Sequence, residues 1–170
     1  MNKNETIEKI KAYRIKIDML TNSIKTLTPS RPVSLAITDS ERAKMWLGKV
    51  LGELGNPTPY PQSDTPESPV IEPQAEHSAE TVFNDSVQGH VPQVKFLRAE
   101  IDKLADSLLD TVSQELNQFA WLGFYDTWDT VSNKLIEKKV NMFFDASYLA
   151  LTESRMWLGM ELDRVRSTKK

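Results

Sequence analysis

Sliding this 170-residue chain along itself reveals an internal repeat, and that repeat constrains the fold more than any single motif. A shift of 84 residues carries Lys11, Arg14, Ile17, Asp18, Leu20 and Ser23 onto Lys95, Arg98, Ile101, Asp102, Leu104 and Ser107. Asn22 then meets Asp106, and Ile24 meets Leu108. The apolar members recur at three- and four-residue steps, which places them on one helix face. A second block follows in the same order. Ser34-Leu35-Ala36-Ile37-Thr38-Asp39-Ser40 resembles the one-residue-longer Ser147-Tyr148-Leu149-Ala150-Leu151-Thr152-Glu153-Ser154, and Lys44-Met45-Trp46-Leu47-Gly48 matches Arg155-Met156-Trp157-Leu158-Gly159. The alignment needs a gap at Glu41-Arg42-Ala43, close to one helical turn. Two collinear blocks predict two diverged copies of one helix-hairpin.

The elements follow from periodicity and punctuation. Thr6 to Leu27 reads as a helix without Gly or Pro, stopped by Thr28-Pro29-Ser30-Arg31-Pro32. A second helix is expected to start near Thr38 or slightly before, where Thr38 and Glu41 have capping-box spacing, and to end at Gly55-Asn56-Pro57. Residues 56–91 hold six of the nine prolines and both histidines, His77 and His90, and read as a Pro-rich linker or strap. From Pro92, suited to a first helical turn, a stripe of Val94, Leu97, Ile101, Leu104, Leu108, Val112 and Leu116 resumes. An aromatic-rich piece with Phe119, Trp121, Phe124, Tyr125 and Trp128 leads through Leu135, Ile136, Val140, Phe143 and Phe144 to a last helix over Ala146 to Arg166. The expected fold class is all-α. Repeat 1 covers 1–55, the linker 56–91, and repeat 2 covers 92–170 with a helical insertion at 118–145.

Composition removes several function classes. The chain has no cysteine, so disulfides, thiolate metal sites and a Cys nucleophile are excluded, in keeping with a reducing compartment. A net charge of −3 gives no global basic field for a DNA or RNA polymer. The polar start Met1-Asn2-Lys3-Asn4-Glu5 lacks an apolar run, and no stretch approaches a bilayer span, so the expectation is a cytoplasmic protein without membrane contact. There is no Gly-rich phosphate loop, no His pair at metal-ligand spacing, and no Ser with an evident His partner. Asp126 and Asp129 beside Trp128 fit a cleft or a solvated helix face. A non-enzyme without metal or cofactor is expected.

The residues that draw attention are cations at repeat-equivalent positions: Lys11 with Lys95, Arg14 with Arg98, and Lys44 with Arg155. With Arg31 they can grip phosphates by charge-assisted hydrogen bonds, or they can pair within their helices. Asp18 lies four residues after Arg14, and Asp102 four after Arg98. Tyr13 can stack on a base or lie exposed on its helix. Thr38 and Thr152 read first as helix caps. Trp46 and Trp157 read as core, interface or ligand contacts.

The block from Arg31 to Gly48, with its S-L-A-I-T followed by M-W-L-G, resembles the second helix of the hairpin domain in phage anti-CBASS cyclic-nucleotide sponges, and a related hairpin occurs in anti-Thoeris sponges. Gly55 to Ser63 and Ile71-Glu72-Pro73 are similar to an extension on some relatives. The resemblance covers about residues 5–75, then 92–110 and 146–166 through the repeat. It implies a homo-oligomer, often a hexamer, that sequesters cyclic di- or trinucleotide or cyclic ADP-ribose-type signals between protomers without cleaving them. With two hairpins per chain, a trimer would make a pseudo-hexamer. The ligand-binding candidates are then Lys11, Tyr13, Arg14, Arg31, Thr38 and Lys44, with Lys95, Arg98, Thr152 and Arg155. Ile37 and Leu151 stand where the family often has a basic residue, which sets a trinucleotide-type site at odds with the pattern. The alternative is a helical assembly or adaptor protein whose Trp-bearing faces dock partner helices. A nucleotide demands a cationic pocket with an aromatic wall, whereas an adaptor demands a continuous apolar patch.

Overall fold

The computed structural model describes residues 3–56, 85–111 and 130–168. These residues form four helices, α1 (Lys3–Lys25), α2 (Arg31–Glu53), α3 (Asp85–Thr111) and α4 (Thr130–Ser167), and no strand. The all-α expectation holds.

Local chemistry explains the helix ends. Glu5 in the first turn of α1 and Lys25 in its last turn complement the helix dipole. α2 begins earlier than the Thr38 box predicts, because Ser30 is its N-cap. The Ser30 backbone is extended (φ −153°, ψ 166°), its Oγ accepts from the Val33 N–H, and Pro32 occupies the first turn, where a missing N–H costs nothing. Thr38 is therefore inside the helix and donates back to the Ser34 carbonyl at 3.1 Å; Thr152 does the same to Tyr148 at 3.0 Å. Neither is a cap. At the other end Gly55 takes φ 74°, and the bonds Asn56 N–H to Leu51 O and Gly55 N–H to Gly52 O close a Schellman motif. α3 starts at Asp85, so residues 85–91 belong to the helix and Pro92 lies within it. α4 runs unbroken for 38 residues and absorbs 130–145.

The helices neighbour one another in the ring order α1, α2, α4, α3, with α2 against α4 the most extensive seam. Tyr13 to Ser107 and Gln93 to Thr26 make α1 and α3 antiparallel, and Ser30 to Glu161 and Lys139 to Glu53 do the same for α2 and α4. The core is built at seven-residue steps, Ile10-Ile17-Ile24, Val94-Ile101-Leu108 and Phe144-Leu151-Leu158, all buried. Such spacing keeps one seam of each helix turned inward along a bundle. Each fully buried Ile, Leu or Phe contributes about 1.5–3 kcal/mol.

Small residues line the α2–α4 seam and let the two backbones approach. Ser154 Oγ lies 2.9 Å from the Ala36 carbonyl and Ser147 Oγ lies 3.1 Å from the Ala43 carbonyl, each positioned to donate, while the Ser40 and Ser154 hydroxyls lie 2.9 Å apart. A shift of 111 residues exchanges the two carbonyl contacts, since it carries Ala36 onto Ser147 and Ala43 onto Ser154. The alternation of buried and exposed positions over 31–53 recurs over 142–164 at that constant shift, differing only at Glu41, Arg42 and Glu53. No three-residue offset interrupts it, so Thr38 corresponds to Leu149 rather than to Thr152.

Candidate functional site

The repeated cations build matching contacts in the two hairpins. Arg14 on α1 is 5% exposed and lays its guanidinium over Gly48 of α2, where an added Cβ would lie 3.4 Å from Cζ. Arg98 on α3 covers Gly159 of α4 at the same 3.4 Å. The glycine of each M-W-L-G string is thus the floor on which an arginine plane rests, and an alanine methyl there would meet that plane at ordinary van der Waals distance. Asp18 reaches across its hairpin to Lys44, and Asp102 reaches Arg155. These partly exposed pairs tie neighbouring helices, each worth about 0.2–1 kcal/mol.

The remaining candidates are dispersed. The Tyr13 hydroxyl is 2.8 Å from the Ser107 carbonyl and 2.6 Å from Thr111 Oγ1, bridging α1 to α3, so this tyrosine is not the exposed helix residue the sequence allows. Lys11 pairs with Glu8 at 2.9 Å, while Arg31 at the start of α2 and Lys95 on α3 are exposed. Lys11, Arg14, Arg31, Thr38 and Lys44 belong to the α1–α2 hairpin, and Lys95, Arg98, Thr152 and Arg155 to the α3–α4 hairpin. Tyr13 bridges the two.

Sequence reasoning missed a buried polar knot. Glu161 on α4 is 0% exposed and accepts from Ser30 Oγ at 2.7 Å and from Arg164 Nε and Nη2 at 2.8 and 2.7 Å; His90 Nε2 lies 2.8 Å away. Burial by itself would raise its pKa, but the bonds from Arg164, Ser30 and His90, with the Arg164 charge, outweigh it and hold the carboxyl at about 2. Arg164 is raised in turn, chiefly by its bond to Glu161. His90 lies on α3, 7% exposed, not in a linker. The Ser, His and carboxylate do not form a nucleophilic triad, because Ser30 and His90 both address the carboxylate rather than each other. A carboxylate on the Leu158–Leu162 stripe was the signal available in the sequence.

The two M-W-L-G tryptophans differ. Trp157 donates its indole N–H to Asp39 Oδ2 at 2.9 Å, and Asp39 also holds Arg42 at 2.8 Å. Trp46 stacks on Phe143 with ring centroids 5.6 Å apart and 22° between planes, and Lys49 Nζ stands 4.2 Å from the indole centroid. On the outside of α4, Met142, Leu149, Met156 and Met160 share one face, each 48–57% exposed, with Glu153 between Leu149 and Met156. The shift of 111 puts Arg31, Thr38, Met45 and Lys49 at those places on α2. The aromatic-rich residues Phe119, Trp121, Phe124, Tyr125 and Trp128, with Asp126, Asp129 and His77, lie outside the described residues.

Among the described residues no cluster of three His, Asp or Glu could hold a metal ion, and no helix is long and apolar enough to cross a membrane. Compared with known proteins, the chain matches no family model, no curated protein sequence and no solved structure.

Proposed function

We propose that this chain is a phage-encoded sponge that binds a cyclic nucleotide immune signal and holds it intact, working as a homo-oligomer of duplicated helix-hairpins. The ligand class comes from the likeness of the Arg31–Gly48 block to anti-CBASS and anti-Thoeris sponges. The observation that carries the assembly is the stripe of Met142, Leu149, Met156 and Met160 on α4, solvent-facing in a single chain. Exposed apolar side chains grouped on one helix face mark an interaction surface, and the sponge family holds its ligands between protomers. Arg31 and Lys95, both exposed, are the cations best placed to meet a ligand held between copies.

Calorimetry against cyclic di- and trinucleotides and cyclic ADP-ribose isomers, paired with light scattering, tests the reading. The expected outcome is an assembly larger than the 19.4 kDa chain, a trimer first, that binds one class and releases it intact on denaturation. Leu149→Lys should dissolve the assembly and abolish binding together. Cleaved ligand would make the chain an enzyme. Binding of nothing on the panel would favour a helical adaptor, which the same stripe also suits.

A further inference from the structure

We infer that Trp46, Phe143 and Lys49 form the seat for a purine of the bound nucleotide, at the seam between α2 and α4; the ligand class rests on the sponge reading above. A purine nucleotide brings a flat π face, ring-nitrogen acceptors and a phosphate. The Trp46–Phe143 stack offers an aromatic surface on which a base can extend the stack, and both rings are half-buried, held yet accessible. The indole N–H of Trp46 has no acceptor among the described residues. The reason is visible in the repeat: the shift that carries Trp46 onto Trp157 carries Asp39, the acceptor for Trp157, onto Ala150. An indole N–H on a half-buried ring can donate to a group brought from outside, and a ring nitrogen of a purine is one.

Lys49 completes the seat. Its ammonium lies 4.2 Å from the Trp46 centroid and 5.7 Å from that of Phe143, and no carboxylate pairs with it among the described residues. The nearest acid along α2, Glu53, is engaged by Lys139 at 3.3 Å, so its charge is already matched. Lys44 and Arg155, by contrast, are each tied to an aspartate. The second tryptophan lacks the whole set. Trp157 has its N–H occupied by Asp39, and the shift puts Met160 in place of Lys49 and Pro32 in place of Phe143. One purine seat per chain follows, not two.

The test titrates cyclic di-AMP, cyclic di-GMP and cyclic tri-adenylate into the full chain, following heat and tryptophan emission. Lys49→Met, which installs the residue found on α4, and Trp46→Leu should each weaken binding roughly 10-fold or more, the size of a lost cation or stacked base. Lys16→Met, an exposed lysine on α1, should leave binding unchanged and controls for net charge. If the parent chain binds but Lys49→Met and Trp46→Leu stay within about twofold of it, or Lys16→Met loses as much as Lys49→Met, the seat is overturned while the sponge reading stands (twofold being well under the 1.4 kcal/mol of a tenfold change). If the parent chain binds none of the three, nor any cyclic ADP-ribose isomer, both fall. Should Trp46→Leu lose helical circular dichroism, Lys49→Met, changing an exposed side chain, decides alone.

Discussion

The two hairpins share a frame and differ at matching ends. In both, an arginine plane lies on a glycine and an aspartate reaches a cation on the facing helix. Where α4 has Glu161, however, α2 has Val50; where α3 has His90, α1 has Thr6; and where α2 begins at Ser30, α4 carries Asn141. Val50 is buried among apolar residues, and the Asn141 Oδ1 is buried with no hydrogen bond. One position is thus filled by packing alone and its counterpart by a saturated charge. A frame defined by contacts between hairpin partners tolerates either, because the positions that differ lie outside those contacts.

Truncating the counterparts should separate the two kinds of interior most sharply. Glu161→Ala strands His90, Ser30 and Arg164 without their shared acceptor and should cost about 3–5 kcal/mol in urea unfolding. Val50→Ala removes only methyl groups and should cost about 2 kcal/mol. Equal losses would mean that the knot is ordinary packing.

Acid should act on one position alone. The Glu161 carboxyl is held at about 2 against an ordinary 4.5. Because the folded value is the lower one, its stabilisation is fully present above pH 4.5 and disappears as pH falls from 4.5 toward 2, about 3 kcal/mol in all. Urea midpoints measured across that window should drop in the parent chain and flatten in Glu161→Gln, while Val50→Ala should keep the parent's slope.

The tryptophans give the smallest contrast. Trp157→Phe deprives the buried Asp39 of a donor and should cost about 1.5 kcal/mol, since Arg42 still partners that carboxylate. Trp46→Phe loses no hydrogen bond to the described residues and should cost about 0.5 kcal/mol or less. The reverse order would place the weaker environment around Trp157.

Much of this frame is legible in the sequence. K-x-x-R and M-W-L-G were both visible as repeated strings, and the α1 and α3 stripes gave their helices directly. That Arg14 and Arg98 lie on Gly48 and Gly159 was not legible, because spacing within one helix says nothing of what the next helix brings opposite. The aspartates four residues after Arg14 and Arg98 suggest pairs within a helix, and spacing alone does not show that Asp18 and Asp102 reach Lys44 and Arg155 across each hairpin. The start of α2 was misplaced because Thr38-Asp39-Ser40-Glu41 imitates a capping box, while Ser30 followed by Pro32 was the stronger signal. The gap opened after Ser40 came from matching Thr38 to Thr152 by identity, where burial follows a constant shift. His90 was lost among prolines, because a helix that contains Pro92 defeats the usual punctuation.

The α2–α4 seam also sets a clock. Ser154 follows Ala36 by 118 residues, so the most extensive seam among the described helices cannot close until those residues have been made. At roughly 5–20 residues per second on the ribosome, the first hairpin waits on the order of 6–24 s for its partner. During that interval Ala36 and Ala43 of α2, whose carbonyls meet Ser154 and Ser147 of α4, lack those partners. The nascent α1–α2 hairpin is therefore a substrate for holding factors, and for the same hairpin on a neighbouring nascent chain.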